Sequence, residues 1–189
     1  MKSHPCWSPP DAPPSTSALT ALDGRKTMPG VEGPARSGRA GRLAAQLDVA
    51  ASALIAAIAQ SDVDRWEHVT GPGIWSIGKD AEHVIEAIGY HEWIVRLTVG
   101  SAVSSRRPTL ERSRLTTDLS RDHAIELLRR RSEEVSNLIR ALTDEQLDLP
   151  TRPPRAGSAT LATTVERVLI GHYGAHRDQI ESKGRAVGG

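Results

Sequence analysis

Apolar residues recur at helical spacing in four stretches of the chain, and this pattern predicts an all-α protein. The first predicted helix covers about residues 41–60, and its stripe consists of Leu43, Leu47, Leu54 and Ile58. Ser76 can cap a second helix that ends near Gly100. Ser120 can cap a third, about residues 121–141, whose stripe is Ile125, Leu128, Val135, Leu138 and Leu142.

The fourth predicted helix covers about residues 161–183 and is expected to stop at Gly184. Its stripe is Leu161, Val165, Val168, Leu169 and Ile180. Loops are expected at residues 62–75, 101–118 and 150–158, with a short turn after Thr143. No stretch shows sustained two-residue alternation, so four helices of about 20 residues predict a four-helix bundle.

The N-terminal part of the chain has a different composition. Residues 1–38 hold seven of the twelve prolines and show no apolar periodicity. Such a segment cannot bury enough surface to offset its ordering entropy, which predicts a disordered tail. The predicted domain organisation is this tail followed by a bundle at residues 39–187.

Charge and cysteine content exclude several classes of function. The 24 Lys and Arg nearly balance the 23 Asp and Glu, so no basic surface favours nucleic acid or an anionic membrane. The single cysteine, Cys6, rules out an internal disulfide and a cysteine-based metal cluster. No apolar run approaches a membrane span or the core of a signal peptide. We therefore expect a cytoplasmic protein with no nucleic-acid or membrane partner.

Two histidines one helical turn apart carry the strongest chemical signal. His172 and His176 continue the apolar stripe of the fourth helix, so both imidazoles should lie where core side chains lie. Buried imidazoles must satisfy two ring nitrogens each, and a shared metal ion would do this. A chance pair of core histidines is the alternative that the spacing leaves open.

A third histidine, His83, lies on a row of the second helix that can face inward, so it is a candidate third ligand. A satisfied core histidine is the alternative there. His91 is eight residues further on, about 12 Å along the helix axis, and cannot share an ion with His83. His68 and His123 are expected at the surface. Three imidazoles would leave one coordination position open, which is typical of a catalytic site.

Three other patterns fail on inspection. Residues 73–80 resemble a phosphate-binding Walker A loop, but Asp80 replaces the required Ser or Thr and no strand precedes it. His91-Glu92 begins a zincin motif, yet Val95 occupies the position of the second histidine. No histidine follows a glutamate at the spacing of a ferritin-like di-iron site.

The combination of Trp75-Ser76, His83 eight residues after the tryptophan, and His172-x-x-x-His176-x-x-Gln179-Ile180 resembles the DinB/YfiT-like superfamily of metalloenzymes. The resemblance covers about residues 40–184. It implies a four-helix bundle that holds one divalent metal, commonly Zn²⁺ or Ni²⁺, through His83, His172 and His176.

The activities known in that superfamily are largely thiol transfers. They include bacillithiol and mycothiol S-transferases and a mycothiol-dependent isomerase group, which tends to have Glu where this chain has His172. The resemblance therefore implies a metal-dependent transferase whose partners are a low-molecular-weight thiol and a small electrophile, with a homodimer allowed. A metal-dependent hydrolase and a non-catalytic metal- or small-molecule-binding bundle stay as alternatives, and no catalytic side chain is assigned.

Overall fold

This computed structural model describes residues 38–69, 71–104, 106–152 and 159–185. For residue 185 it describes the backbone alone. The predicted disordered tail lies outside the described residues except for Gly38. The described residues form a four-helix bundle, as the apolar pattern predicts, and contain no β-strand beyond an isolated bridge between Pro150 and Thr160.

The first two long helices follow the sequence pattern closely. Helix α1 (Arg39–Gln60) buries its whole predicted stripe against the rest of the bundle. Helix α2 (Ile77–Thr98) begins at Ser76, whose side chain accepts a hydrogen bond from the backbone N–H of Lys79 at 3.1 Å. Beyond its end, Gly100 has a φ of +77°, which a glycine adopts without strain.

The third helix has a neighbour that the sequence did not predict. Helix α3 (Arg121–Arg140) begins at Ser120, whose hydroxyl caps the backbone N–H of His123, as predicted. The expected turn after Thr143 is a short helix, α4 (Asp144–Leu147). Thr143 and Gln146 form a reciprocal capping box there, which stabilises even a single helical turn.

The last helical stretch differs most from the prediction of one regular α-helix. It consists of α5 (Leu161–Thr163), a π-helical segment (Thr164–Ile170) and α6 (Gly171–Arg185). The predicted stop at Gly184 is wrong, because α6 includes that residue. The π-helical segment closes wider turns and therefore changes which side chains face the core after it.

The bundle core lies between α1 and its two neighbours, α3 and α6, with α2 packing against α3 and α6. Aliphatic side chains, Trp66 and Tyr173 fill it. Helix α1 is long and apolar enough in composition to span a membrane, contrary to the sequence expectation. Its Leu43, Leu47, Leu54 and Ile58 pack in the core, however, as those of a core helix do.

Candidate metal centre

Three histidines from two helices converge at one point in the bundle. His83 comes from α2, and His172 and His176 come from successive turns of α6. One ring nitrogen from each lies within 4.8 Å of the others. The ring centroids of His172 and His176 are 4.5 Å apart, and each lies 5.1–5.2 Å from that of His83. The structure thus brings together all three residues predicted as ligands.

Local sequence explains how each helix presents its histidine. The Ser76 cap fixes the start of α2, which places His83 two turns into the helix. On α6, Tyr173 follows His172 in the sequence, and its side chain is buried. Its hydroxyl forms a 2.9 Å hydrogen bond with the hydroxyl of Ser132 on α3. The π-helical segment ends at Ile170, immediately before α6. Its wider turns set the rotation of α6 about its own axis, and so decide that Tyr173 and the histidine pair face the core.

The donor set fits a divalent metal ion. Within the described residues, Nδ1 of His83 and Nε2 of His172 are buried and form no hydrogen bond, while Nδ1 of His176 faces the Asp80 carboxylate at 3.4 Å. An unsatisfied buried nitrogen costs about 1–3 kcal/mol, so two at one point, beside a third imidazole, indicate that the site is completed by something it binds. Ligands at about 2.0–2.1 Å from a tetrahedral ion would lie about 3.4 Å apart, and small side-chain rotations would close the cluster to that spacing.

Burial and nearby charges keep the imidazoles of His83 and His172 neutral at pH 7. Burial, followed by the nearby charges of His176 and Arg112, lowers the pKa of His83 from 6.5 to about 4. Burial, followed by the charges of the other cluster histidines, lowers the pKa of His172 to about 3. Both side chains therefore carry a free lone pair at neutral pH, which a metal ligand requires.

Two residues beside the cluster were missed by the sequence reasoning. Asp80, which is 1% exposed, has its Oδ1 3.4 Å from Nδ1 of His176 and its Oδ2 in an ion pair with Lys183. Asp80 was considered only as a departure from a phosphate-loop motif. Its position three residues before His83, on the same helix face, is the signal that could have found it.

The other histidines in the described part of the chain lie outside the cluster, and His68 and His123 lie at the surface, as predicted. His68 and His123 are exposed. His91 is outside the three-residue group: its Nδ1 donates a hydrogen bond to the carbonyl of Ala87 at 2.7 Å, and its ring centroid is 6.1 Å from that of His172. It therefore flanks the cluster without joining it.

Two aromatic residues of α2 and a glycine of α6 lie on the helices that carry the cluster. Tyr90 stacks on Trp93, and Arg107 lies 4.8 Å above the Tyr90 ring, so these aromatic residues pack toward the connection after α2. Among the described residues, no atom outside the backbone of α6 and the adjacent residues lies within 4 Å of where a Cβ on Gly174 would be. Close packing of a neighbouring helix therefore does not explain Gly174.

A polar cleft of about 330 Å³ between α1 and α3 includes none of the histidines. Arg140 and Asp48, which line it, already pair with each other at 2.9 Å. The cleft is therefore separate from the histidine cluster.

Fold and site together define a class: a helical bundle with a three-histidine cluster suited to a divalent metal. Over residues 46–180 the chain matches the family model of the DinB superfamily, and it belongs to that superfamily. No curated protein and no solved structure matches it significantly. Superfamily membership and the cluster together fit a metal-binding DinB-like protein.

Proposed function

We propose that this protein binds one divalent metal ion through His83, His172 and His176 and uses it to transfer a low-molecular-weight thiol to a small electrophile. The observation that carries the metal proposal is the convergence of three imidazoles, one ring nitrogen of each lying within 4.8 Å of the others. Within the described residues, the buried Nδ1 of His83 and Nε2 of His172 form no hydrogen bond. Zn²⁺ and Ni²⁺ are the expected ions, since imidazole suits borderline metals better than Mg²⁺ or Ca²⁺.

The residues of the site supply binding and orientation. A divalent ion held by His83, His172 and His176 would lower the pKa of a thiol or water bound to it. Trp75, whose ring centroid is 4.9 Å from that of His83, covers one side of that imidazole. The resemblance to known thiol transferases favours thiol over water as the nucleophile, and this is an argument by analogy.

Arg112 adds a positive charge at the edge of the cluster. The backbone N–H of Glu111 donates to Glu86 at 2.9 Å, and Arg114 pairs with Glu82 at 3.3 Å, so this part of the connection is fixed along α2 beside His83. Arg112 is exposed and forms no ion pair within the described part of the chain. It is therefore placed to attract a carboxylate on the thiol or on the electrophile.

Metal content tests the first half of the proposal. The purified protein should contain about one equivalent of Zn²⁺ or Ni²⁺ by mass spectrometry, and His172→Ala and His176→Ala should each lose it. His123→Ala, which removes an exposed imidazole outside the cluster, is the matched control and should keep it. A full equivalent in both cluster variants would show that the ligand assignment is wrong.

A conjugation assay tests the second half. Metal-loaded protein is mixed with bacillithiol, mycothiol or glutathione and a chromogenic electrophile, with His83→Ala as the inactive control. Arg112→Gln should raise the KM for whichever substrate carries a carboxylate and leave kcat nearly unchanged. A protein that binds metal but conjugates no thiol would instead be assayed on activated esters, where turnover indicates a hydrolase and its absence a binding protein.

A further inference from the structure

The buried carboxylate of Asp80 bridges two side chains of α6. Its Oδ1 lies 3.4 Å from Nδ1 of His176, and its Oδ2 pairs with the ammonium group of Lys183. His176 and Lys183 are seven residues apart and so lie on one face of the helix, two turns from each other. The first turn of α2 thus docks onto α6 through one acidic side chain at the edge of the histidine cluster.

Lys183 links this contact to the other half of the cluster. Its Nζ donates a hydrogen bond to the backbone carbonyl of Trp75 at 2.7 Å, in addition to pairing with Asp80. The Trp75 ring in turn packs against His83. One ammonium group therefore holds both the carboxylate beside His176 and the loop beside His83.

We infer that Asp80 is a positioning residue that sets the tautomer of His176, and that Lys183 holds Asp80 in place; this inference rests on the proposed metal site. An ionised carboxylate only accepts hydrogen bonds, so Nδ1 of His176 must carry the proton that faces it. Nε2 then keeps its lone pair for a metal ion. The 3.4 Å separation closes to a charge-assisted hydrogen bond after a ring movement of about 0.5 Å.

The cost of burying this carboxylate explains the lysine. An unpaired buried charge is strongly destabilising, and pairing with Lys183 offsets part of that cost for Asp80. A carboxylate behind a histidine ligand orients the ring and raises its basicity, and its loss commonly lowers metal affinity about 10–100-fold. The pair therefore organises the site before any metal arrives.

The tautomer is measured first, in metal-free protein, from the imidazole ¹⁵N chemical shifts of His176. The wild-type protein should show Nδ1 protonated. Asp80→Ala should lose this preference. The single variant leaves Lys183 without its partner and could fail to fold for that reason. The double variant Asp80→Leu/Lys183→Met removes both charges together, so the tautomer can still be measured. A wild-type tautomer in the folded double variant would overturn the inference.

Affinity for Zn²⁺ is measured second, by competition with a chromophoric chelator. The Asp80 variants should bind about 10–100-fold more weakly than wild type. Glu82→Gln is the matched control, because it removes a neighbouring α2 carboxylate that pairs with Lys79 and Arg114 and contacts no histidine. Unchanged affinity in the Asp80 variants, or an equal loss in Glu82→Gln, would overturn the positioning role.

The role of Lys183 has its own comparison. Lys183→Met should weaken both the tautomer preference and Zn²⁺ binding, and Lys183→Arg should restore them. A rise in affinity in Lys183→Met would show that the lysine acts only by repelling the cation. If wild-type protein binds no metal at all, the proposed function fails, while the tautomer measurement still decides whether Asp80 orients His176.

Discussion

Gly78 lies in the first turn of α2, five residues before His83, and its replacement by alanine tests how that turn is positioned. A Cβ there would come within 2.6 Å of the Thr117 methyl carbon and 2.8–2.9 Å of the Trp66 indole. Neither neighbour can move easily. Both are buried, and the indole N–H is fixed by a hydrogen bond to the carbonyl of Leu119.

Two opposing terms decide the outcome of Gly78→Ala. Alanine is favoured over glycine inside a helix by about 1 kcal/mol, and less than that in a first turn. Overpacking a tight contact costs about 1–3 kcal/mol, and contacts below 3.0 Å with two buried side chains belong in the upper part of that range. The net expectation is a loss of about 1–2 kcal/mol in the free energy of unfolding, or a Tm lower by several degrees.

The assay is thermal unfolding of metal-free protein, followed by circular dichroism at 222 nm. Gly174→Ala is the matched control, because it adds the same methyl group to a helical glycine with no atom within 4 Å of the new Cβ. Its Tm should rise, by an amount equivalent to at most about 1 kcal/mol. If Gly78→Ala is as stable as wild type or more stable, the tight contact does not position the start of α2 and the reasoning is wrong.

Three further predictions follow from the same structure. The pKa of His83 is about 4 and that of His172 about 3, against 6.5 when unfolded. As pH drops from 6.5 to 4, these two histidines gain protons mainly in the unfolded chain. The free energy of unfolding of metal-free protein should therefore fall over that range. Each histidine contributes at most about 1.4 kcal/mol per pH unit, and urea titrations should show a flatter dependence in His83→Gln/His172→Gln. Tyr173→Phe should cost about 1–2 kcal/mol by leaving the buried Ser132 hydroxyl without its partner, whereas Ser132→Ala/Tyr173→Phe should cost less than the sum of the single changes. Removing residues 1–37 should leave Tm and metal content unchanged, because that segment carries no core-forming pattern, and a loss of several degrees would contradict this.

The sequence by itself determined the helices and the three histidines. Periodic apolar residues and the hydroxyl caps at Ser76 and Ser120 are local signals, so they located the long helices to within a few residues. The spacing of His172 and His176 also acts within one helix, and it predicted that they share a face. The third member, His83, came from a sequence motif and from the row it occupies on its own helix.

Tertiary structure alone decided how the helices meet. The π-helical segment before α6 packs against α1, and the Tyr173 anchor bonds Ser132 of α3; no local spacing reveals either contact. The contact of Asp80 with Lys183 joins residues 103 positions apart, and a buried charge is tolerated only where the fold supplies its partner. Local chemistry thus named the candidate ligands, while long-range packing set their distances and their neighbours, because those depend on the mutual placement of helices far apart in the chain.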